Sequence, residues 1–435
     1  MARIGRFSTD VAQGLRPARR VFAALKRCAT RDQQSVLSCV ARVGAGVLGL
    51  CAIVVADGAP VRQAANLPSG CVDHFEAATD YFPDKAALED AATFSVEYRK
   101  SYKIVTVKEA YVGGPPERYV LLQCGAPMPA LVGELAGAQV VPVPITSLFV
   151  FSTTHLSLLA DLGRVDVLTG VAQREVVMDP QAEARIAAGK IVEFARVGLA
   201  IDVERVVTAR PSVLMAGGTS TPTLSVVKTS GVPVVANTEW LEPSALGRAE
   251  WIKYMALFLN DERKAQTLYS TMKAQYRSVS ARALARPDAD RPLVMTGRST
   301  RGLFTIAGGR SYVAALIRDA GGRYAWADNT SVASASVDLE SQIQRAANAD
   351  IWINGGGWAS LPAMLDDEPR YVAFKAYRHG QVWTYERRQK ASGANDYWSR
   401  SVTHPDLLLG DLVKIFHPRL MLDHVFEWYM PVPGR

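Results

Sequence analysis

Two cysteines, six histidines and one glycine-rich hexapeptide carry the most readable chemistry in this 435-residue sequence. Cys71 and Cys124 are the only cysteines after residue 56. An isolated pair in an oxidising compartment forms a disulfide, and a bridge closing the loop from 71 to 124 contributes about 4 kcal/mol on the chain-entropy model. The alternative is two buried free thiols. The histidines His74, His155, His379, His404, His417 and His424 are scattered, with no His-rich loop. A zinc or manganese site needs several His and carboxylate ligands converging from separate elements. Only His155 stands at the end of a strand-like run, which argues against a bare metal ion. Gly44-Ala45-Gly46-Val47-Leu48-Gly49 matches G-x-G-x-x-G. No strand precedes it, and no acidic residue follows at the distance a dinucleotide-binding unit requires. The sequence holds no G-x-S-x-G elbow, no G-x-x-x-x-G-K-[ST] loop and no H-E-x-x-H helix, which counts against an enzyme. An exported α/β hydrolase remains the rival class, because triads assemble from distant residues.

The charge balance points away from nucleic acid. The formal charge of +7 resides wholly in residues 1–56, which hold nine Lys/Arg and two Asp/Glu. From Asp57 onward forty basic residues meet forty acidic ones, so a nucleic-acid footprint is missing. The basic leader runs into an apolar stretch from Val43 to Ala56, the pattern of an export signal, and that stretch is shorter than the roughly 20 residues of a membrane span. Arg19-Arg20-Val21-Phe22 faintly resembles a twin-arginine signal, and Leu48-Gly49-Leu50-Cys51 resembles a lipoprotein box with an unusually bulky residue before the cysteine. The mature protein is therefore expected to be periplasmic or otherwise extracytoplasmic, free or lipid-anchored.

The elements that must position any site follow from hydrophobic patterning. With 49% hydrophobic residues the chain can bury two globular units. Lys103–Ala110 and Arg118–Gln123 read as strands of a hairpin turned by Gly113-Gly114-Pro115-Pro116. From about Gln139, short apolar strands alternate with helices, which predicts an α/β fold with mostly parallel sheet. Leu148–Phe151, Ser212–Met215 and Val234–Ala236 are strands of a first unit. Pro292–Thr296 and Ile351–Asn354 are strands of a second. Between the units Ala265, Leu268, Met272, Tyr276, Val279 and Ala283 recur at helical spacing, so a helix from Asp261 to Ala285, stopped by Pro287, spans roughly 35 Å. A repeat is legible: Asp202-Val203-Glu204 leads through a helix to a strand and Gly217-Gly218, and Asp338-Leu339-Glu340 leads through a helix to a strand and Gly355-Gly356-Gly357. Each copy sets a Gly-rich loop after the carboxyl end of a strand, where ligands bind in open α/β sheets. The expected division is an export signal over 1–56, an N-terminal extension with the hairpin over 57–130, an α/β lobe over 131–260, a connecting helix over 261–286, and a second α/β lobe with terminal helices over 287–435.

The order of these segments resembles the long-helix class of periplasmic binding proteins of ABC importers, the class serving siderophore, haem and cobalamin uptake. The stretches carrying the resemblance are Phe151–His155, Asp202–Met215, Leu241–Trp251, Asn395–Trp398 and His404–Pro418. It implies two Rossmann-like α/β lobes joined by one long α-helix, here with an N-terminal β-hairpin extension. It also implies a monomer without cofactor or catalytic activity, which captures an iron chelate or a cobalamin- or haem-like ligand between the lobes and delivers it to an ABC permease. A zinc or manganese receptor of the same fold is the nearer alternative. Glu204 and Glu340 match the surface glutamates that dock on permease arginines. Expected ligand contacts are Ser152, Thr153, His155, Gly218, Thr219 and Trp240 from the first lobe, and Arg298, Trp358, Tyr397 and Trp398 from the second. Hydroxyls, an arginine and aromatic rings suit a bulky ligand with carboxylate or catecholate oxygens and flat faces.

Overall fold

Four strands form the first sheet of the computed structural model, which describes residues 64–195 and 200–434. The export leader, its glycine-rich hexapeptide and Cys51 lie outside the described residues. β1 (Phe94–Tyr98), β2 (Tyr102–Val107), β3 (Glu117–Gln123) and β4 (Gln139–Val143) lie in the order β1-β2-β3-β4. The hairpin read from the sequence is the antiparallel β2–β3 pair, with β1 antiparallel to β2 and β4 parallel to β3. Two of these strands differ from the reading. β1 falls in the part of the N-terminal extension where no strand was read, because only Phe94 of its five residues is fully buried. β4, expected to open the α/β lobe, extends the hairpin sheet instead. Its Gln139 side chain then bonds the backbone of Val234 in both directions, at 2.6 and 2.8 Å, and seats the extension against the next sheet. Cys71 and Cys124 are disulfide-bonded, and Val72 N donates to Cys124 O at 2.8 Å beside the bridge.

The second sheet is wholly parallel: β5 (Leu148–Val150), β6 (Leu168–Val171), β7 (Val192–Glu193), β8 (Val213–Ala216) and β9 (Val234–Ala236), in the order β7-β6-β5-β8-β9. β5, β8 and β9 are buried throughout, the continuous apolar run of a strand covered on both faces. After the long helix come β10 (Leu293–Thr296), β11 (Arg298–Thr300), β12 (Leu303–Ala307), β13 (Arg323–Tyr324), β14 (Ser334–Asp338), β15 (Ile351–Ile353), β16 (Val382–Thr384) and β17 (Met430–Pro431). Five of them form a sheet in the order β13-β10-β15-β16-β17, parallel except for β17. β11, β12 and β14 form a small antiparallel sheet.

The long helix covers Glu262–Leu284, about 35 Å at 1.5 Å per residue. Its first half is anchored to the N-terminal part of the chain. Glu262 pairs with Lys103 at 2.5 Å with both side chains fully buried, Lys264 Nζ donates to Leu162 O at 2.6 Å, and Tyr269 and Lys273 both reach Asp90. Its second half is anchored to the C-terminal part, where Tyr276 donates to Asp319 at 2.8 Å and Ser280 to Asp319 O at 3.0 Å. One element is thus bonded to both the N-terminal and the C-terminal parts of the chain. The apolar face read from the sequence is in contact with the core, but Tyr269, Lys273 and Ser280 are buried as well; their polar atoms are satisfied by Asp90 and Asp319, which are far away in sequence.

A histidine links the two halves a second time. His404, just before the helix Pro405–Phe416, lies 3.4 Å from Asp161 at the end of the helix Thr153–Asp161. Burial works against the charge on His404, and the bond to Asp161 outweighs it, so its pKa is raised. A raised folded-state pKa gives stability that is fully present below the unfolded value and lost as pH climbs through the folded one. His404→Asn should therefore destabilise the protein more at about pH 5.5 than at about pH 8.5 in urea unfolding. A cost that grows with pH would contradict the assignment.

Candidate functional site

Both parallel sheets reverse direction in the same way. In the first, the chain steps outward from β5 to β6 and β7, then returns on the other side of β5 as β8 and β9. In the second, it steps from β10 to β13 and returns on the other side as β15 and β16. At such a reversal the loops leaving the two adjacent central strands run apart and open a crevice at their carboxyl ends. Ser152 and Gly217 mark that crevice in the first sheet, Thr296, Gly297 and Asn354 in the second, and all five line one cavity of about 740 Å³. The volume falls in the range of about 300–1,000 Å³ usual for small-molecule sites. Trp240 beyond β9, Tyr385 beyond β16, and Tyr397 and Trp398 complete the wall.

Local sequence explains how each group is held. Ser152 caps the helix Thr153–Asp161, accepting from Thr154 N at 3.3 Å. His155, one turn in, is fully buried; its Nε2 lies 3.3 Å from Asn237 O and its Nδ1 has no protein partner. Burial pushes its pKa down, so it faces the cavity as a neutral imidazole. Trp240 Nε1 donates to Gly217 O at 3.0 Å, tying the β8 and β9 loops together. Arg248 sits on the short helix Ala245–Ala249, where Ser244 caps Gly247 N at 3.0 Å. A Cβ on Gly247 would stand 2.8 Å from Asp90 O and from Glu242 Oε2, so only glycine lets this turn approach the segment behind it. The Arg248 guanidinium bonds Glu239 at 3.1 Å and lies 4.3 Å over the Tyr312 ring, with Nε left without a partner.

The aromatic side of the cavity comes from the second half. Tyr385 and Tyr397 stack with centroids 4.3 Å apart, and Trp398 meets both edge-on at 5.2 and 5.0 Å. Trp398 is 44% exposed, an open indole face on an otherwise closed cluster. Asn354 adopts a left-handed φ of 58° at the end of β15 and accepts a 2.5 Å bond from Tyr429. The wall thus offers hydroxyls, an amide, stacked rings and one ion pair. Among the described residues no three His, Cys, Asp or Glu side chains gather to hold a metal.

Of the ten residues expected to contact ligand, the cavity is lined by Ser152, His155, Trp240, Tyr397 and Trp398. Thr153 lies next door, donating to Trp398 O at 3.4 Å and lining a smaller, mostly apolar cavity of about 340 Å³. Gly218 lines another hollow beside Phe151. Thr219 is buried and donates to Glu117 at 2.5 Å. Arg298 and Trp358 stand outside the main cavity for a shared reason: Asp367 binds both, at 3.1 and 2.7 Å. Trp358 packs edge-on against Trp352 and Tyr371 in the core beneath. Sequence reasoning missed Glu239, Arg248, Tyr312, Tyr385, Thr305 and Asn354. Tyr385 follows a strand as the expected residues do and was within reach of the same argument; Arg248 and Tyr312 sit on helices, where no strand-end signal marks them.

Glu204 and Glu340 occupy matching places. Each is exposed in the first turn of a short helix, after Asp202 or Asp338 as cap. Glu340 also pairs with Arg370 at 2.6 Å.

The comparisons agree with this geometry. The chain is 26% identical to an uncharacterized lipoprotein of Methanocaldococcus jannaschii over 325 residues, covering 71% of this chain and 75% of that one. A second uncharacterized lipoprotein of that organism is 22% identical over 313 residues, covering 70% and 76%. Among solved structures, a periplasmic binding protein from Veillonella parvula superposes with a TM-score of 0.50 at 13% identity, covering 75% of this chain and 98% of that one. Helicobacter pylori CeuE with Ni(II) bound gives a TM-score of 0.50 at 13% identity, covering 65% and 87%. The sequence pattern described as periplasmic binding protein matches residues 150–388, more than half of the length. With two sheets whose switch-point crevices open on one cavity, the chain belongs to the periplasmic binding protein family, the substrate-binding proteins of ABC importers.

Proposed function

We propose that this protein is the extracytoplasmic receptor of an ABC importer that captures an iron chelate of the siderophore type, or a cobalamin- or haem-like macrocycle, and hands it to a membrane permease. The observation that carries the reading is the convergence of both switch points on one cavity walled by Tyr385, Tyr397 and Trp398. Stacked rings with one open indole face suit a ligand with flat or apolar surfaces larger than a sugar or amino acid. The chain from β5 to residue 260 and residues 287–435 act as the two lobes and 261–286 as the connecting helix, whose anchoring at both ends favours small closing motions. Glu204 and Glu340 orient the receptor on basic permease residues, a role of charge in steering encounter. The lipoprotein names of the archaeal relatives support a lipid-anchored form through Cys51. The protein acts by binding and release, without turnover.

The test is a fluorescence titration of the purified protein with a ferric trihydroxamate, a ferric tricatecholate, haem and cyanocobalamin. At least one should quench tryptophan emission saturably. Trp398→Ala should then weaken that ligand by about 2 kcal/mol, roughly 30-fold, as truncation of a central aromatic contact does. Unchanged affinity would remove Trp398 from the site, and silence toward all four probes would remove the reading.

A further inference from the structure

The charges in the cavity wall are few, and they cancel. Among the residues that line it, the ionised side chains are Arg248 and Glu239, bonded to each other at 3.1 Å and both nearly fully buried. His155 stands there as the neutral imidazole described above. Burial pushes the Tyr385 phenol up to about 12 and the Tyr397 phenol up as well, so both keep their protons. The remaining wall is hydroxyl, amide, indole and small apolar groups. Arg298, the cation the sequence offered for anionic oxygens, is held outside by Asp367. A receptor for a polyanion needs an excess of arginine or lysine to replace the lost hydration of its ligand. Here an incoming negative charge meets Glu239 beside Arg248, in a buried setting where both are weakly screened.

We infer that the ligand is a bulky chelate or macrocycle of zero net charge, and that Glu239 sets this preference by neutralising Arg248. The inference rests on the receptor reading above and narrows it. A neutral ligand surrenders only hydrogen bonds to water, which Ser152, Thr305 and Asn354 replace, while its flat faces lie against the Tyr385–Tyr397 stack and Trp398.

The experiment is a charge series on the intact protein, read by tryptophan quenching. A ferric trihydroxamate of zero net charge and cyanocobalamin serve as neutral probes, and haem and a ferric tricatecholate as anionic ones. One neutral probe should bind at least about 100-fold more tightly than either anion. Its affinity should change by less than about twofold between roughly 0.05 and 0.5 M salt. Glu239→Gln should raise affinity for the ferric tricatecholate by about tenfold or more, because it frees the charge of Arg248. Haem or the tricatecholate binding as tightly as the neutral probes overturns the inference and leaves the receptor reading intact. Unaltered tricatecholate affinity in a folded Glu239→Gln protein also overturns it. If that variant loses its cooperative thermal transition, the wild-type charge and salt series decides. Failure of every probe overturns the inference and the receptor reading together.

Discussion

Glu250→Ala lowers the free energy of unfolding by about 3–5 kcal/mol, the cost of removing one partner from a buried ionic network. The carboxylate is fully buried. It accepts backbone N–H bonds from Glu89 at 2.9 Å, Asp90 at 2.6 Å and Ala91 at 2.7 Å, and pairs with the equally buried Lys253 at 2.6 Å. Eight residues earlier Glu242 does the same for Ala92 N and Thr93 N at 2.9 Å each, and accepts from Trp251 Nε1 at 2.9 Å. The two glutamates therefore clamp the segment 89–93, which in turn bonds Tyr269 and Lys273 on the long helix. Alanine at 250 strands three donors and leaves the Lys253 charge with its bond to Ala87 O at 2.5 Å and a longer contact to Glu89 at 3.5 Å. Urea unfolding followed by circular dichroism measures the loss; a change below about 1 kcal/mol would show that water replaces the carboxylate readily.

Replacing Cys71 and Cys124 together by serine costs about 4 kcal/mol, because the bridge closes a separation of 53 residues in the unfolded chain. The contacts around it are backbone bonds that serine can keep: Val72 N donates to Cys124 O at 2.8 Å, and Cys124 N to Val143 O at 2.9 Å. The effect is thus assigned chiefly to the freedom regained by the unfolded chain. Thermal and urea midpoints with and without reductant measure it. Wild type in reductant and the double variant should fall together, while midpoints equal to those of oxidised wild type would mean that the extension contributes little to cooperative unfolding.

What the sequence made legible depends on where each partner lies along the chain. The long helix is readable because its apolar face repeats within one element, and the strands β5, β8, β9, β10 and β15 because each is a short apolar run ended by glycine, serine or asparagine. Ser152 and Trp240 follow from the rule that ligands gather at strand ends, and Trp398 from the resemblance carried by Asn395–Trp398. Arg298 and Trp358 satisfy the same rule and still face elsewhere, because Asp367 captures them and lies 69 and 9 residues away. The roles of Arg248 and Glu239 were hidden for a related reason: a buried ion pair leaves no periodic signal, and its place in the cavity depends on how a five-residue helix packs. β1 was missed because a half-exposed edge strand looks like a connection until its partner is known, and β4 was assigned to the wrong sheet because its pairing with β3 is not written in its own residues.

In the proposed receptor, loops from both sheets close on one ligand. Hydrogen–deuterium exchange with and without the tightest-binding probe of the titration series tests it directly. Protection is predicted in both halves at once, over residues 152–155 and 239–248 in the first and over 296–307 and 385–398 in the second. Protection confined to one half, or found only outside these segments, would contradict it.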